Sequence, residues 1–227
     1  MIYITGDKHG NFLDVYKFCK NNNTKKEDIL IILGDAGINY FLNGRDYTLK
    51  EELKDYPITF FCIHGNHEER PENIYSYIEK KFHEGNVFYE EDYPNLLFAK
   101  DAEIYDFNGR KTIVIGGAYS VDKYYRLMHN YNWYPSEQPS EETKEKVKKV
   151  LALRNNQIDV ILSHTCPYKY LPREMFIDGI ENVDNTTEYY LDEIDDTVEY
   201  QDWYCGHFHT DKKVKKLTFM YNDIKKF

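Results

Sequence analysis

Short, nearly continuous apolar runs recur along the chain at Ile2 to Ile4, Ile29 to Leu33, Ile58 to Ile63, Ile113 to Ile115, Val160 to Leu162 and Trp203 to Cys205. Each has the length of a strand and is rich in Ile, Val or aromatic residues, a pattern that predicts strands buried on both faces. Several intervening stretches fit helices: Asn11 to Lys20, Tyr47 to Lys54 and Glu141 to Asn155. In the last of these, Val147, Val150 and Leu151 fall at helical spacing, Ser140 stands where a cap belongs, and Glu141 and Glu142 fill the first turn. Strands alternating with helices predict a layered α/β architecture with right-handed crossovers. Asn108-Gly109, between Ala102 to Phe107 and Lys111 to Ile115, predicts a tight hairpin, so antiparallel pairing is expected in the second half of the chain. Tyr119 to Pro139 has no clear period and is expected to form a long loop.

Metal-ligand side chains follow five of the apolar runs directly. Ile2 to Ile4 is followed by Gly6-Asp7-Lys8-His9-Gly10, and Ile29 to Leu33 by Gly34-Asp35. Ile58 to Ile63 leads into His64-Gly65-Asn66-His67-Glu68, Val160 to Leu162 into Ser163-His164, and Trp203 to Cys205 into Gly206-His207-Phe208-His209. If these strands run broadly parallel, their C-terminal ends share one crest, where open α/β sheets place ligands. Asp7, His9, Asp35, Asn66, His164, His207 and His209 are then candidate metal ligands, too many for one tetrahedral ion. Their mixture of carboxylate, imidazole and amide donors suits manganese, iron or zinc, and no thiolate is placed to force a structural zinc. Gly6, Gly10, Gly34, Gly65 and Gly206 beside them fit tight turns that bring backbone close to the site.

At 227 residues, with 41% hydrophobic and 30% charged positions, the chain is long enough for a sizeable core and suits one domain over residues 1–227 better than two small ones. A formal net charge of −10 argues against an extended nucleic-acid groove, because such grooves cluster Lys and Arg to neutralise phosphates. A nucleotide or a strand end remains compatible with that charge. The acidic stretch Asp178 to Asp202 and the cluster Lys212, Lys213, Lys215 and Lys216 are expected to be solvated surface. No membrane-spanning run and no signal peptide is evident. Cys19, Cys62, Cys166 and Cys205 are widely separated and are expected to be reduced thiols in a cytoplasmic protein.

The ordered blocks GDKHG, GD, GNHE, SH and GHFH, spanning Gly6 to His209, resemble those of the calcineurin-like metallophosphoesterases, above all short bacterial and phage-encoded members. GDKHG and GNHE are also similar to motifs of the phosphoprotein phosphatases. The resemblance implies a four-layer α/β/β/α sandwich with mixed sheets and a phosphoric ester hydrolase that uses two divalent ions. Manganese is the expected metal, with iron, zinc, nickel or magnesium as alternatives. Asp7, His9 and His209 would bind the first ion, Asn66, His164 and His207 the second, and Asp35 would bridge them. A bridging hydroxide would be the nucleophile, since two ions about 3.5 to 4 Å apart acidify the water between them. His67, just outside the metals, would be the catalytic group that protonates the leaving oxygen or stabilises the transition state.

The phosphatases follow their GD block with an acidic residue and an Arg where this chain has Ile38 and Asn39, and they place a second Arg where it has His64. A phosphodiester or small nucleotide is therefore the expected substrate; Arg45, Arg70 and Arg126 are expected at the surface, or else as replacements for the absent arginines. A Ser/Thr phosphoprotein phosphatase and a non-catalytic scaffold that keeps the fold are the alternatives. The aromatic segment Tyr119 to Trp133 would be either a substrate wall or an added layer of core.

Overall fold

The computed structural model describes residues 1–175 and 183–227. Thirteen strands and five α-helices alternate along them, β1 (Ile2–Thr5), α1 (Leu13–Asn22), β2 (Ile29–Ile32), α2 (Gly44–Lys54), β3 (Thr59–Cys62), β4 (Ile78–Phe82), β5 (Gly85–Tyr89), β6 (Leu96–Ala99), β7 (Ile104–Phe107), β8 (Arg110–Ile115), α3 (Lys123–Met128), α4 (Glu141–Ala152), β9 (Val160–Ser163), α5 (Thr186–Thr197), β10 (Asp202–Cys205), β11 (Lys212–Val214), β12 (Leu217–Phe219) and β13 (Lys225–Lys226). One sheet has the order β13-β1-β2-β3-β6-β5-β4 and the other β11-β12-β10-β9-β8-β7. Parallel pairing joins β1, β2, β3 and β6 in the first sheet, and β8, β9, β10 and β12 in the second. Antiparallel hairpins close the edges at β4/β5, β7/β8 and β11/β12.

Alternation along the strands creates the layers, because successive side chains point to opposite faces. Ile29, Ile31 and Leu33 pack between the sheets with Ile2, Ile4, Phe61, Val114, Val160 and Leu162. Leu30 and Ile32, on the other face of β2, pack with Val15 and Cys19 of α1 and Leu53 of α2. Ile161 of β9 packs outward with Val147 and Leu151 of α4 and Leu191 and Ile194 of α5. Burial on both faces follows, and the result is the expected α/β/β/α arrangement.

Local signals are met where the chain offers them. Ser140 Oγ accepts from Thr143 N at 3.1 Å at the start of α4. Asn108 and Gly109 adopt φ of 58° and 83° between β7 and β8, the left-handed pair a two-residue hairpin requires. The segment from Tyr119 to Pro139 is not wholly a loop, since its middle forms α3. The acidic stretch is not simply solvated either. Lys169 lies within ion-pair distance of Asp195 and Asp196, and Lys148 of Glu193. Asp178 and Glu181, at its beginning, lie outside the described residues. Lys213, Lys215 and Lys216 are exposed as expected. Among the described residues no helix is long and apolar enough to cross a membrane.

Candidate metal centre

The ligand-bearing strands do not share one sheet. β1, β2 and β3 belong to the larger sheet and β9 and β10 to the smaller, and the turns after their C-terminal ends meet across the gap between the sheets. Leu33 shows the seam, because its carbonyl lies 2.7 Å from His164 Nδ1. This contact presents the opposite ring nitrogen, Nε2, to Asn66 Oδ1 at 2.8 Å and to Asp35 Oδ2 at 3.6 Å.

Among the described residues, three groups of donor atoms, each within 4.8 Å of one another, could hold a cation: Asp7, His9 and His209; Asp7, Asp35 and His164; and His9, Asp35 and His67. Asp35 belongs to two of them, as does Asp7. The Nε2 atoms of His9 and His209 face each other at 3.0 Å, and those of His209 and His9 stand 3.4 and 3.7 Å from Asp7 Oδ2. Asp7 Oδ2 is buried and, among the described residues, accepts no hydrogen bond. A desolvated carboxylate oxygen left without a donor, beside converging imidazole nitrogens, is costly unless a cation completes it. The residues present therefore fit a divalent metal. His207 is brought close by its backbone, whose N–H donates to Asp7 Oδ1 at 2.9 Å. Its ring packs 5.0 Å from that of His164, and it belongs to none of the three groups.

Backbone geometry delivers these side chains. His9, Asp35, His207 and His209 have φ of 46°, 48°, 65° and 48°, a left-handed conformation uncommon outside glycine. The turns close onto the carboxylates through glycine: a Cβ on Gly65 would stand 2.0 Å from Asp35 Oδ1, and one on Gly206 would stand 2.3 Å from Asp7 Oδ1. A methyl group at either position would displace the carboxylate.

Burial and charge set the electrostatics. Burial pushes the Asp35 carboxyl up, but the imidazoles of His164, His67 and His9 and a hydrogen bond from His67 N outweigh it and hold the group below its usual range. Burial, reinforced by His164, brings His207 down to about 3. Contact with the Asp7 carboxylate raises His209. Burial lowers His67, with Asp35 and Asp122 opposing the shift and Arg126 adding to it. Glu68, the last residue of GNHE, accepts from Gly65 N and Gly37 N at 3.3 and 3.2 Å. Burial raises its carboxyl to about 8.

His67 sits beside the cluster rather than within its centre. Its N–H donates to Asp35 Oδ1 at 2.8 Å, its ring lies edge-on to His9 at 5.3 Å, and Nε2 is 4.0 Å from Asp122 Oδ1. A cavity of about 390 Å³ opens on this side, lined by His9, His67, Tyr40, Phe41 and Arg45.

The three arginines go to different places. Arg70 is buried and tied to Asp101 Oδ2 at 2.7 Å and the Ser136 carbonyl at 2.8 Å. Arg126 is buried, and its Nη1 donates to Ser120 Oγ at 3.3 Å. Arg45 is exposed at the cavity wall. Ile38 and Asn39 are buried where the phosphatases place charge. Sequence reasoning did not find Ser120, Asp122 or Tyr40, which reach the site through loops without a motif. Nor did it find Tyr221, whose ring stacks on His209 at 4.6 Å. The tyrosines divide: Tyr119 and Tyr134 are buried, whereas Tyr124, Tyr125 and Tyr131 are exposed. Cys166 is buried, and burial raises its thiol well above the usual value, opposite to what a nucleophile needs.

A sequence model described as calcineurin-like phosphoesterase matches residues 1–211. No curated protein matches the chain. Among solved structures, TT1561 of Thermus thermophilus superposes with a TM-score of 0.52 at 14% identity, over 97% of this chain and 87% of that one. A second solved chain superposes with a TM-score of 0.52 at 12% identity, over 96% of this chain and 88% of its own. At such identities the likeness concerns the fold alone.

Proposed function

Because the chain belongs to the calcineurin-like phosphoesterase family, whose members are metal-dependent hydrolases of phosphate esters, we propose that it cleaves a phosphodiester or small nucleotide at a dinuclear centre. Asp7, His9 and His209 would hold one divalent cation, Asn66, His164 and His207 would hold the other, and Asp35 would serve both. The observation that carries this reading is the position of Asp35, whose carboxylate shares one donor group with His164 and another with His9, residues assigned to different cations, while His67 of the second group is kept as the proton donor. Manganese is the ion we expect there, with iron, zinc, nickel or magnesium as alternatives, since carboxylate and imidazole donors together suit several of these.

When bound, the cations supply a water acidic enough to attack phosphorus near neutral pH and positive charge for the phosphoryl oxygens. The chain does the rest. Asp35 fixes the His67 backbone, and His67 Nε2 carries the proton that the leaving oxygen takes as the ester bond breaks. Burial lowers the His67 imidazole and Arg126 adds to the shift, while Asp35 and Asp122, the latter 4.0 Å from that nitrogen, oppose it and favour the protonated form. The turns between the sheets bury the carboxylates, which strengthens their hold on cations by excluding water.

A phosphoprotein substrate is disfavoured by Ile38 and Asn39, which are buried where an exposed charge pair would be needed. A non-catalytic scaffold is disfavoured by the convergence of Asp7, His9, Asp35, His164 and His209 in donor groups able to hold a cation. On this reading residues 1–227 act as one domain in the cytoplasm, in keeping with four buried thiols. The test is hydrolysis by protein loaded with manganese, iron, zinc, nickel or magnesium. Turnover of bis(p-nitrophenyl) phosphate is expected, and inertness toward both that diester and p-nitrophenyl phosphate with every metal would sink the reading.

A further inference from the structure

We propose that the cavity beside His9 and His67 receives the leaving group of the ester, and that Arg45 recognises a second anionic group on it. The substrate class is then a phosphate ester whose leaving half joins a planar ring to a carboxylate or phosphate. The inference rests on the phosphoesterase reading, because that reading makes the His67 side the one from which the leaving group departs.

A relay of flat groups leads from His67 to Arg45. The rings of His67 and Tyr40 are 6.4 Å apart and inclined by 31°, Tyr40 and Phe41 meet at 4.7 Å, and the Arg45 guanidinium lies 4.7 Å from the Phe41 ring. Leu49 adds an apolar side to the cavity. Its volume of about 390 Å³ lies within the roughly 300–1,000 Å³ of small-molecule sites.

Arg45 keeps its charge available. Among the described residues no carboxylate stands within ion-pair distance of it, and its recorded partner is the Phe41 ring. The adjacent Asp46 does not neutralise it, since that carboxylate accepts from Phe41 N and Leu42 N at 2.7 to 3.1 Å. Those bonds also shape the loop. The Tyr40 carbonyl is held by Asn132 Nδ2 and Tyr134 OH, each at 2.8 Å, so Tyr40 is anchored before any ligand arrives. A guanidinium on an aromatic face, exposed and unpaired, at the mouth of a pocket that ends on His67, is built to take an anion.

The test compares phenyl phosphate with 4-carboxyphenyl phosphate as substrates of the metal-loaded protein. Alongside, calorimetry measures binding of the non-hydrolysable phenylphosphonate and 4-carboxyphenylphosphonate. Wild-type protein is expected to favour the carboxylated member of each pair by about tenfold, the scale of one charge-assisted contact. Arg45→Ala should abolish that preference, Arg45→Glu should reverse it, and Arg45→Lys should keep part of it. Equal preference ratios in wild type and Arg45→Ala overturn the inference and leave the phosphoesterase reading standing. If neither monoester is hydrolysed, the phosphonate ratios decide the role of Arg45, with equal ratios overturning it, and the phosphoesterase reading is judged separately by the bis(p-nitrophenyl) phosphate assay.

Discussion

Ser120 Oγ holds the Asn66 side chain, accepting from Asn66 Nδ2 at 2.9 Å. The same hydroxyl receives Arg126 Nη1 at 3.3 Å, so its lone pairs are committed to two donors. The bond fixes which way the Asn66 amide faces and turns Oδ1 toward His164 Nε2. Ser120→Ala should therefore weaken metal binding by about 10- to 100-fold, the usual effect of losing a group that orients a ligand. Titration of the metal-free protein measures it, with circular dichroism to show an intact fold. Unaltered affinity would mean that Asn66 orients itself.

His67→Ala should slow hydrolysis by roughly 10² to 10⁴-fold if the imidazole delivers the leaving-group proton. The loss should be largest for alkyl esters and smallest for p-nitrophenyl esters, whose leaving group needs no proton. A uniform loss across leaving groups would assign His67 to charge stabilisation instead.

Removing divalent cations with a chelator should lower the melting temperature, and restoring manganese should recover it. A ligand at 100 times its dissociation constant adds about 2.7 kcal/mol to a folded protein. The buried Asp7 Oδ2, which among the described residues accepts no hydrogen bond, explains why the metal-free state is the weaker one. Differential scanning calorimetry with and without metal reads the shift, and an identical melting curve in both would contradict it.

Glu188 links stability to pH. It is buried, accepts from Thr165 Oγ1 at 2.8 Å, and burial raises its carboxyl from 4.5 to about 7. A raised carboxyl favours the protonated folded state. Its contribution is complete below about pH 4.5 and is lost as pH climbs through about 7, a change of a few kcal/mol at most. Glu188→Gln should flatten that decline, which denaturant titrations between pH 5 and 8 would follow. A parallel decline in the variant would assign the effect to another group.

The strands under the site were legible because burial on both faces leaves an unmistakable apolar run, as in Ile29 to Leu33 and Val160 to Leu162. The donors after them were legible because a turn at a strand end admits few residues. Other elements left weaker traces. α5 hides Tyr190, Leu191 and Ile194 among acidic neighbours that pair with lysines from elsewhere in the chain. β4 is an edge strand, IEKKF, largely exposed, and its charge reads as surface. The placement of Ser120 and Tyr40 beside the start of α2, which carries Arg45, depends on distant parts of the chain meeting. Local periodicity carries no information about that. The division of the donors between two sheets was equally invisible, since a strand end looks the same whichever sheet it joins.

The left-handed backbone at His9, Asp35, His207 and His209 sets durability and reactivity against each other at the same positions. Each such residue costs on the order of 1–3 kcal/mol, and glycine or asparagine there would relieve it. Selection of this chain for heat tolerance alone would erode those four positions early, and a hardier, inert protein would outlast the working one.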